Sequence, residues 1–200
     1  MPIYEKVNNM KLSRKQEILN AALICFNQQG IAATSIDEIH KTSQASIGSI
    51  YHHFGSKDGI AYTLYRDGLQ NYHDDLLEKL NSTKCAESKI KTFITSYMEW
   101  VEENPEHANY IFSARSYLVD SQKAEELHTF HENNQHDLAL VIKSLIEQKE
   151  IKRLPDSLYL PLIIGPAHQF CQLWLNSNLD LKPKEAKKIL AQAAWDSLAC

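Results

Sequence analysis

Between Ser13 and Phe54 the apolar residues recur at helical spacing in three short runs, and each run starts beside a hydroxyl side chain able to cap it. The first run, Ile18, Leu19, Ala22, Cys25 and Phe26, follows Ser13 and ends at Gly30, a C-cap glycine. Thr34 and Ser35 come next, each with an acid three residues on, Asp37 or Glu38, so a capping box can form in either register. The short helix that follows turns Ile36 and Ile39 inward. After a break over residues 42–45, Ser46 caps a third helix with Ile47, Ile50 and Tyr51 on or near its inner face. Three helices in roughly forty residues predict a small trihelical unit whose second and third members have helix-turn-helix length and spacing.

Beyond this unit the pattern stays helical, with no run of alternating β-branched residues. Ser56 opens a long helix carrying Ile60, Ala61, Leu64, Tyr65, Leu69, Leu76, Leu77 and Leu80. If that helix is continuous, the small unit and the rest of the chain share it. Further helices are predicted over 87–103, from Pro105 by the first-turn preference of proline, and from Ser121 to Leu145. A segment from Pro155 to Trp174 contains Pro161 and Pro166, which should kink it or delay its start. Pro183 to Leu198 closes the series. The expected fold is all-α, with about nine helices: a three-helix unit over 1–56 and a larger helical domain over 57–200.

Composition agrees with a packed globular chain. Hydrophobic residues make up 44 % and charged residues 23 % of 200 residues, enough to bury a core without a metal or disulfide staple. Cys25, Cys85, Cys171 and Cys200 are scattered with no CxxC pair, and no secretory leader precedes Met10, so free thiols in a cytoplasmic location are expected. The apolar stretch Leu158 to Ile164 is far short of the ~20 residues of a membrane span. The net charge of −4 is unevenly divided. Residues 1–66 hold seven basic side chains against five acidic, leaving 14 basic and 20 acidic of the chain's 21 and 25 for the remainder. That asymmetry has the sign expected for a polyanion at one end of the chain.

The segment Ile18 to Ile60 resembles the DNA-binding domain of the TetR (tetracycline-repressor-like) family of bacterial regulators. The match runs through Ile18-Leu19, Ala21-Ala22, Phe26, Gly30, Thr34-Ser35-Ile36, Ile39, Ser46, Gly48, Ile50-Tyr51, His53-Phe54 and Ser56-Lys57. The turn departs from the family pattern, with Ser43-Gln44-Ala45 in place of Ala-Gly-Val, and His40 stands where the family tends to have alanine. Either Gln44 takes the left-handed conformation that glycine tolerates, at a cost of about 1 kcal/mol, or the turn adjusts around it.

The resemblance implies a helix in the major groove of DNA and a regulatory domain that dimerises. On the third helix Ile47, Ser49 and His52 should face the bases, and Gly48 should let the backbone approach closely. It places Thr34, Ser35, Ser46, Tyr51 and Lys57 near phosphates; the first two and Ser46 also serve simply as helix caps, and Tyr51 also reads as a packing residue. That outward face carries no Arg or Lys, so backbone charge falls to Lys11, Arg14 and Lys15. A palindromic operator bound by a homodimer is the physical expectation. Phe170, Trp174, Leu190 and Ala193 on the last two helices are the candidate dimer contacts. Tyr65, Phe93, Tyr97, Trp100, Tyr110, Phe112 and Tyr117 could line a pocket for a small apolar or aromatic effector, against the reading that they are ordinary core.

No cofactor, catalytic set or metal site is expected. His128 with His131, followed five residues on by His136, and His168 with Cys171 offer helical pairs for which spacing dictates no third ligand, and no HExxH, GxSxG or glycine-rich phosphate loop occurs. The competing class is an all-helical ligand-binding protein or enzyme on the same fold. The outward row of Ile47, Ser49 and His52 beside the caps favours a DNA-binding regulator, most simply a repressor released by its effector.

Overall fold

A computed structural model describes residues 12–177 and 179–200, and among them the chain is all-helical, with nine α-helices and no strand beyond one isolated bridge, Ile151 to Ala199. The helices are α1 (Arg14–Ala33), α2 (Ile36–Ser43), α3 (Ile47–Phe54), α4 (Lys57–Ser82), α5 (Ala86–Glu103), α6 (Pro105–Leu118), α7 (Ala124–Glu147), α8 (Tyr159–Asn176) and α9 (Pro183–Leu198). The all-α expectation holds. No helix of the described residues is long and apolar enough to cross a membrane.

The chain divides into two compact units. One comprises the described residues through Gln70 together with Asn104–His131; the other comprises Asn71–Glu103 and Glu132–Cys200. The divisions therefore fall inside α4, between α5 and α6, and inside α7.

In the first unit, α1 is capped by Ser13, whose Oγ accepts from the Gln16 amide at 3.2 Å. It loses helical geometry at Gly30, where φ is 81°, and a final short turn follows. That break is where the sequence placed the C-cap. Ile18, Leu19, Ala22, Cys25 and Phe26 are all buried, as is Ile39 of α2 and Ile50 of α3. α6 packs on α1, with Phe26 stacked on Tyr110 at 5.8 Å between ring centroids, and the Tyr110 hydroxyl donates to the Ala61 carbonyl at 2.7 Å.

Gly68 of α4 faces α6 closely enough that a Cβ would stand 2.9 Å from the His107 ring and 3.1 Å from Ile111. His107 is only 3 % exposed, and burial pushes its imidazole down to about 4. An unfolded imidazole titrates near 6.5, so between about pH 6.5 and about pH 4 the unfolded chain binds a proton that the folded chain does not. Stability is expected to fall as pH drops through that window, by up to about 3 kcal/mol, with no further loss from this group below it. Urea unfolding midpoints at pH 7 and pH 4.5 check this, and His107→Gln should flatten the difference.

The second unit is built on α5, α8 and α9. α5 and α9 run antiparallel, tied by Lys187 Nζ to Glu99 at 2.9 Å and Lys91 Nζ to Gln192 at 2.6 Å. Ile90, Phe93, Ile94, Met98 and Val101 of α5 are fully buried against Ile163, Ala167 and Cys171 of α8 and Ala186, Ala191 and Leu198 of α9. α8 starts late, one of the two outcomes expected of its prolines: Pro155 precedes a 3-10 turn, Asp156–Leu158, and the α-helix begins at Tyr159 with Pro166 inside it. α7 likewise begins at Ala124 rather than at Ser121, because the Ser121 hydroxyl accepts from the Lys123 amide and closes a separate turn.

Candidate nucleic-acid interface

Local caps set the geometry of α2 and α3. Of the two registers open for the capping box, the chain uses the one at Ser35. Its Oγ accepts from the Glu38 amide at 3.2 Å, and Glu38 accepts from the Ser35 amide at 2.7 Å. Hydrogen bonds to Glu38 from Gln29 and then from Ser35 hold its carboxyl down at about 2, so the box stays charged across the physiological range. Ser46 caps α3 by accepting from the Ser49 amide at 3.1 Å.

Thr34 is not the cap. It is 1 % exposed and its hydroxyl donates to the Gly30 carbonyl at 2.8 Å, closing the break in α1. Lys57 does related work from α4: its ammonium donates to the carbonyls of Ala32 at 2.9 Å and Thr34 at 2.8 Å. The Thr34 side chain thus closes the end of α1, and Lys57 ties that end and Thr34 to α4. The Lys57 bonds are not visible locally in sequence, since they reach carbonyls more than twenty positions away.

The other seven residues assigned to DNA cluster on α3 and at the two caps. Ser35, Ser46, Ile47, Gly48, Tyr51 and His52 are exposed, and Ser49 is half-buried. Ile47 and Tyr51, placed on or near the inner face by spacing, stand 43 % and 50 % exposed. The reason is angular. With Ile50 pointing inward, Ile47 and Tyr51 lie about 60° and 100° round the helix from it on the same side, at the flank of a stripe only one residue wide. Gly48 is open space: a Cβ there meets no atom within 4 Å. Gly59, which spacing did not single out, is the opposite, because a Cβ there would stand 2.0 Å from the Phe54 carbonyl oxygen.

The turn also resolves. Gln44 is left-handed, with φ 55° and ψ 17°. Gln44→Gly is expected to raise unfolding stability by about 0.5–1 kcal/mol, read from urea unfolding, since it removes the Cβ clash of that conformation. Of the basic residues expected to supply charge, Arg14 pairs with Glu17 at 2.8 Å, Lys15 is exposed, and Lys11 lies outside the described residues.

The seven aromatic residues assigned to an effector fall into two groups. In the first unit Tyr65 meets His131 Nε2 at 3.1 Å, Tyr110 is fully buried, Tyr117 donates to Asp58 at 2.7 Å and Phe112 is half-buried. In the second, Phe93 is fully buried, and Tyr97 pairs with His168 Nδ1 at 2.7 Å while Tyr72 packs on both Tyr97 and Trp100. Burial raises the phenols of Tyr65, to about 12, and of Tyr97, so both stay protonated. A groove of about 690 Å³ lies elsewhere in the second unit, between α7 and the start of α8, lined by Leu138, Ile142, Ile146, Leu154 and Leu160 with Arg153.

On α8 and α9, Phe170, Trp174 and Leu190 are half-buried and Ala193 is exposed. Beside them Leu173 and Ile189 are 46 % and 64 % exposed, which gives these helices an uncovered apolar face. Among the described residues, no group of three or more His, Cys, Asp or Glu side chains could hold a metal ion.

Residues 18–62 match the family model described as bacterial regulatory proteins, tetR family. The probable HTH-type transcriptional regulator YttP of Bacillus subtilis (strain 168) is 24 % identical over 149 residues, 73 % of this chain and 71 % of that protein. The HTH-type transcriptional repressor AcnR of Corynebacterium diphtheriae is 37 % identical over 68 residues, 34 % of each chain. In fold, the chain is similar to the transcriptional regulator FadR from Bacillus subtilis, solved in complex with stearoyl-CoA. That likeness has a TM-score of 0.76 and 15 % identity, covering 90 % of this chain and 96 % of the other.

Proposed function

From the premise that this chain belongs to the tetR family of bacterial regulatory proteins, we propose that it is a cytoplasmic transcriptional repressor, not an enzyme. It binds a palindromic operator as a homodimer and leaves it when a small effector binds. The observation that carries this reading is the outer face of α3. Ile47, Gly48, Tyr51 and His52 are exposed together, and Gly48 has no contact inside the protein that would explain a glycine in a helix. A helical glycine costs roughly 1 kcal/mol against alanine, so a partner that comes close to the backbone accounts for it.

The contact set that the geometry supports is Ser35, Ser46, Ile47, Gly48, Ser49, Tyr51 and His52, with Thr34 and Lys57 acting by holding α2 in place. Hydroxyls and the amino-terminal amides of α2 and α3 suit phosphates, while Ile47 and His52 suit base edges. Residues 1–56 form the reading head and 57–200 the effector and dimer domain. Selection of duplexes from a random pool tests the function, with enrichment of an inverted repeat as the expected result and no enriched sequence as the result against it.

Dimerisation through α8 and α9 follows from their uncovered apolar face. Ile189→Glu leaves the fold intact, because the side chain is exposed, and is expected to weaken the dimer at least about tenfold in sedimentation equilibrium. For the effector, the aliphatic groove between α7 and α8 has the volume of a small-molecule site and is an alternative to the aromatic set. The acyl-CoA bound by the FadR relative makes long-chain acyl compounds the first class to screen by thermal shift, followed by operator release.

A further inference from the structure

A strained residue in a surface turn keeps its conformation only where neighbouring groups hold it there. Gln44 is such a residue, and it joins α2 to the helix proposed to read DNA. The next residue, Ala45, is 1 % exposed, and its peptide groups lie outside both helices. Buried backbone groups of this kind require partners, and side chains of α2 provide them. The Ala45 amide donates to Ser43 Oγ at 3.2 Å. The Ala45 carbonyl accepts from His40 at 2.6 Å, which makes Nδ1 the protonated ring nitrogen in that bond. Ser46, immediately after, is the N-cap of α3.

We propose that His40 is a positioning residue for DNA binding: its Nδ1–H to Ala45 carbonyl bond locks the left-handed turn at Gln44 and so sets the direction in which α3 leaves α2. The inference rests on the reading that α3 enters the major groove. The bond spans five positions and ends one residue before the α3 cap, so any relaxation of the turn is passed directly to Ser46 and the outer face behind it. Without the clamp, Gln44 is free to leave a conformation that its Cβ disfavours, and the helix direction becomes a distribution rather than a single angle. With glycine at position 44 that drift has no driving force.

Four proteins test this: the wild type, His40→Ala, His40→Asn and the double variant His40→Ala/Gln44→Gly. The asparagine amide nitrogen stands where Nδ1 stands and can make the same bond. Against a duplex enriched by the wild type, His40→Ala should bind about fivefold to tenfold more weakly, as loss of one buried hydrogen bond implies. His40→Asn should stay within about twofold, and the double variant should regain most of the loss. Equal affinity of the wild type and His40→Ala overturns the proposal, and so does a loss in His40→Asn as large as in His40→Ala. If the wild type enriches no duplex, the regulator reading fails on its own. The melting temperatures of the same four proteins then decide the clamp: the order wild type, His40→Asn, His40→Ala supports it, and coincident melting of the wild type and His40→Ala overturns it.

Discussion

Gly59→Ala is expected to lower unfolding stability by about 3 kcal/mol or more, read from urea unfolding, although it adds a single methyl group within a helix. On helix propensity alone the substitution should stabilise, because glycine is the poorer helix former. Sterics win here. The new Cβ would lie 2.0 Å from the Phe54 carbonyl oxygen and 3.1 Å from its carbon, and both are backbone atoms without a rotamer to change. The carbonyl is itself fixed, since it accepts from the Ser56 amide at 2.8 Å in the tight turn where Gly55 has φ 72°. The Gly59 amide donates to Ser56 Oγ at 3.0 Å, which caps the start of α4 from the turn that follows α3. Relief requires moving one helix away from the other, so DNA affinity should fall along with stability. An alanine variant as stable as the wild type would mean that this turn is far softer than its hydrogen bonds indicate.

Gly48→Ala, eleven residues earlier, should do the reverse to stability and still abolish most function. Nothing lies within 4 Å of the added Cβ, so the folded protein is unchanged or gains up to about 1 kcal/mol. On a selected operator duplex the affinity should drop about thirtyfold, or ~2 kcal/mol, because in the proposed complex the methyl group would stand between α3 and the DNA backbone. Paired measurements of melting temperature and operator affinity check both signs at once. An alanine variant that binds as well as the wild type would remove the observation on which the proposed interface rests. Taken together, the two glycines separate a residue that the fold needs from one that no contact within the protein requires. Spacing in the sequence, which marked Gly48 and passed over Gly59, could not make that distinction, since the atom that excludes a side chain at Gly59 belongs to the preceding helix.

Much of the reading head was legible from local signals. Ser13, Ser35 and Ser46 each cap the helix that follows, and Gly30 breaks α1 where the apolar run stops. Pro105 and Pro183 stand at the first position of α6 and α9. The two unusual residues of the turn, His40 and Gln44, were recognisable as departures from a pattern. That they act through one another was not, because the bond from His40 runs to the backbone of Ala45 and depends on the turn being formed. Burial within the aromatic set was likewise not legible from composition. Tyr110 and Phe93 are fully buried, while the aliphatic groove between α7 and α8 is made by residues that read as an unremarkable amphipathic helix and loop.

The sequence by itself determined where the capped and proline-led helices α2, α3, α6 and α9 start, which class of fold results, and which short helix carries the outward hydroxyls, imidazole and glycine. These depend on residues within three or four positions of one another, where chain connectivity fixes the geometry. Only the tertiary structure decided that Thr34 and Lys57 serve the α1–α2–α4 junction, that Gln44 is left-handed, and that Ile189 and Leu173 lie uncovered while Ile163 and Ala194 do not. The Lys57 bonds and the covered faces depend on which surfaces meet across long separations, such as the twenty-five positions between Ala32 and Lys57, while Thr34 and Gln44 each had two local alternatives that the sequence left open. An apolar residue at helical spacing looks the same whether its face meets its own chain or waits for another.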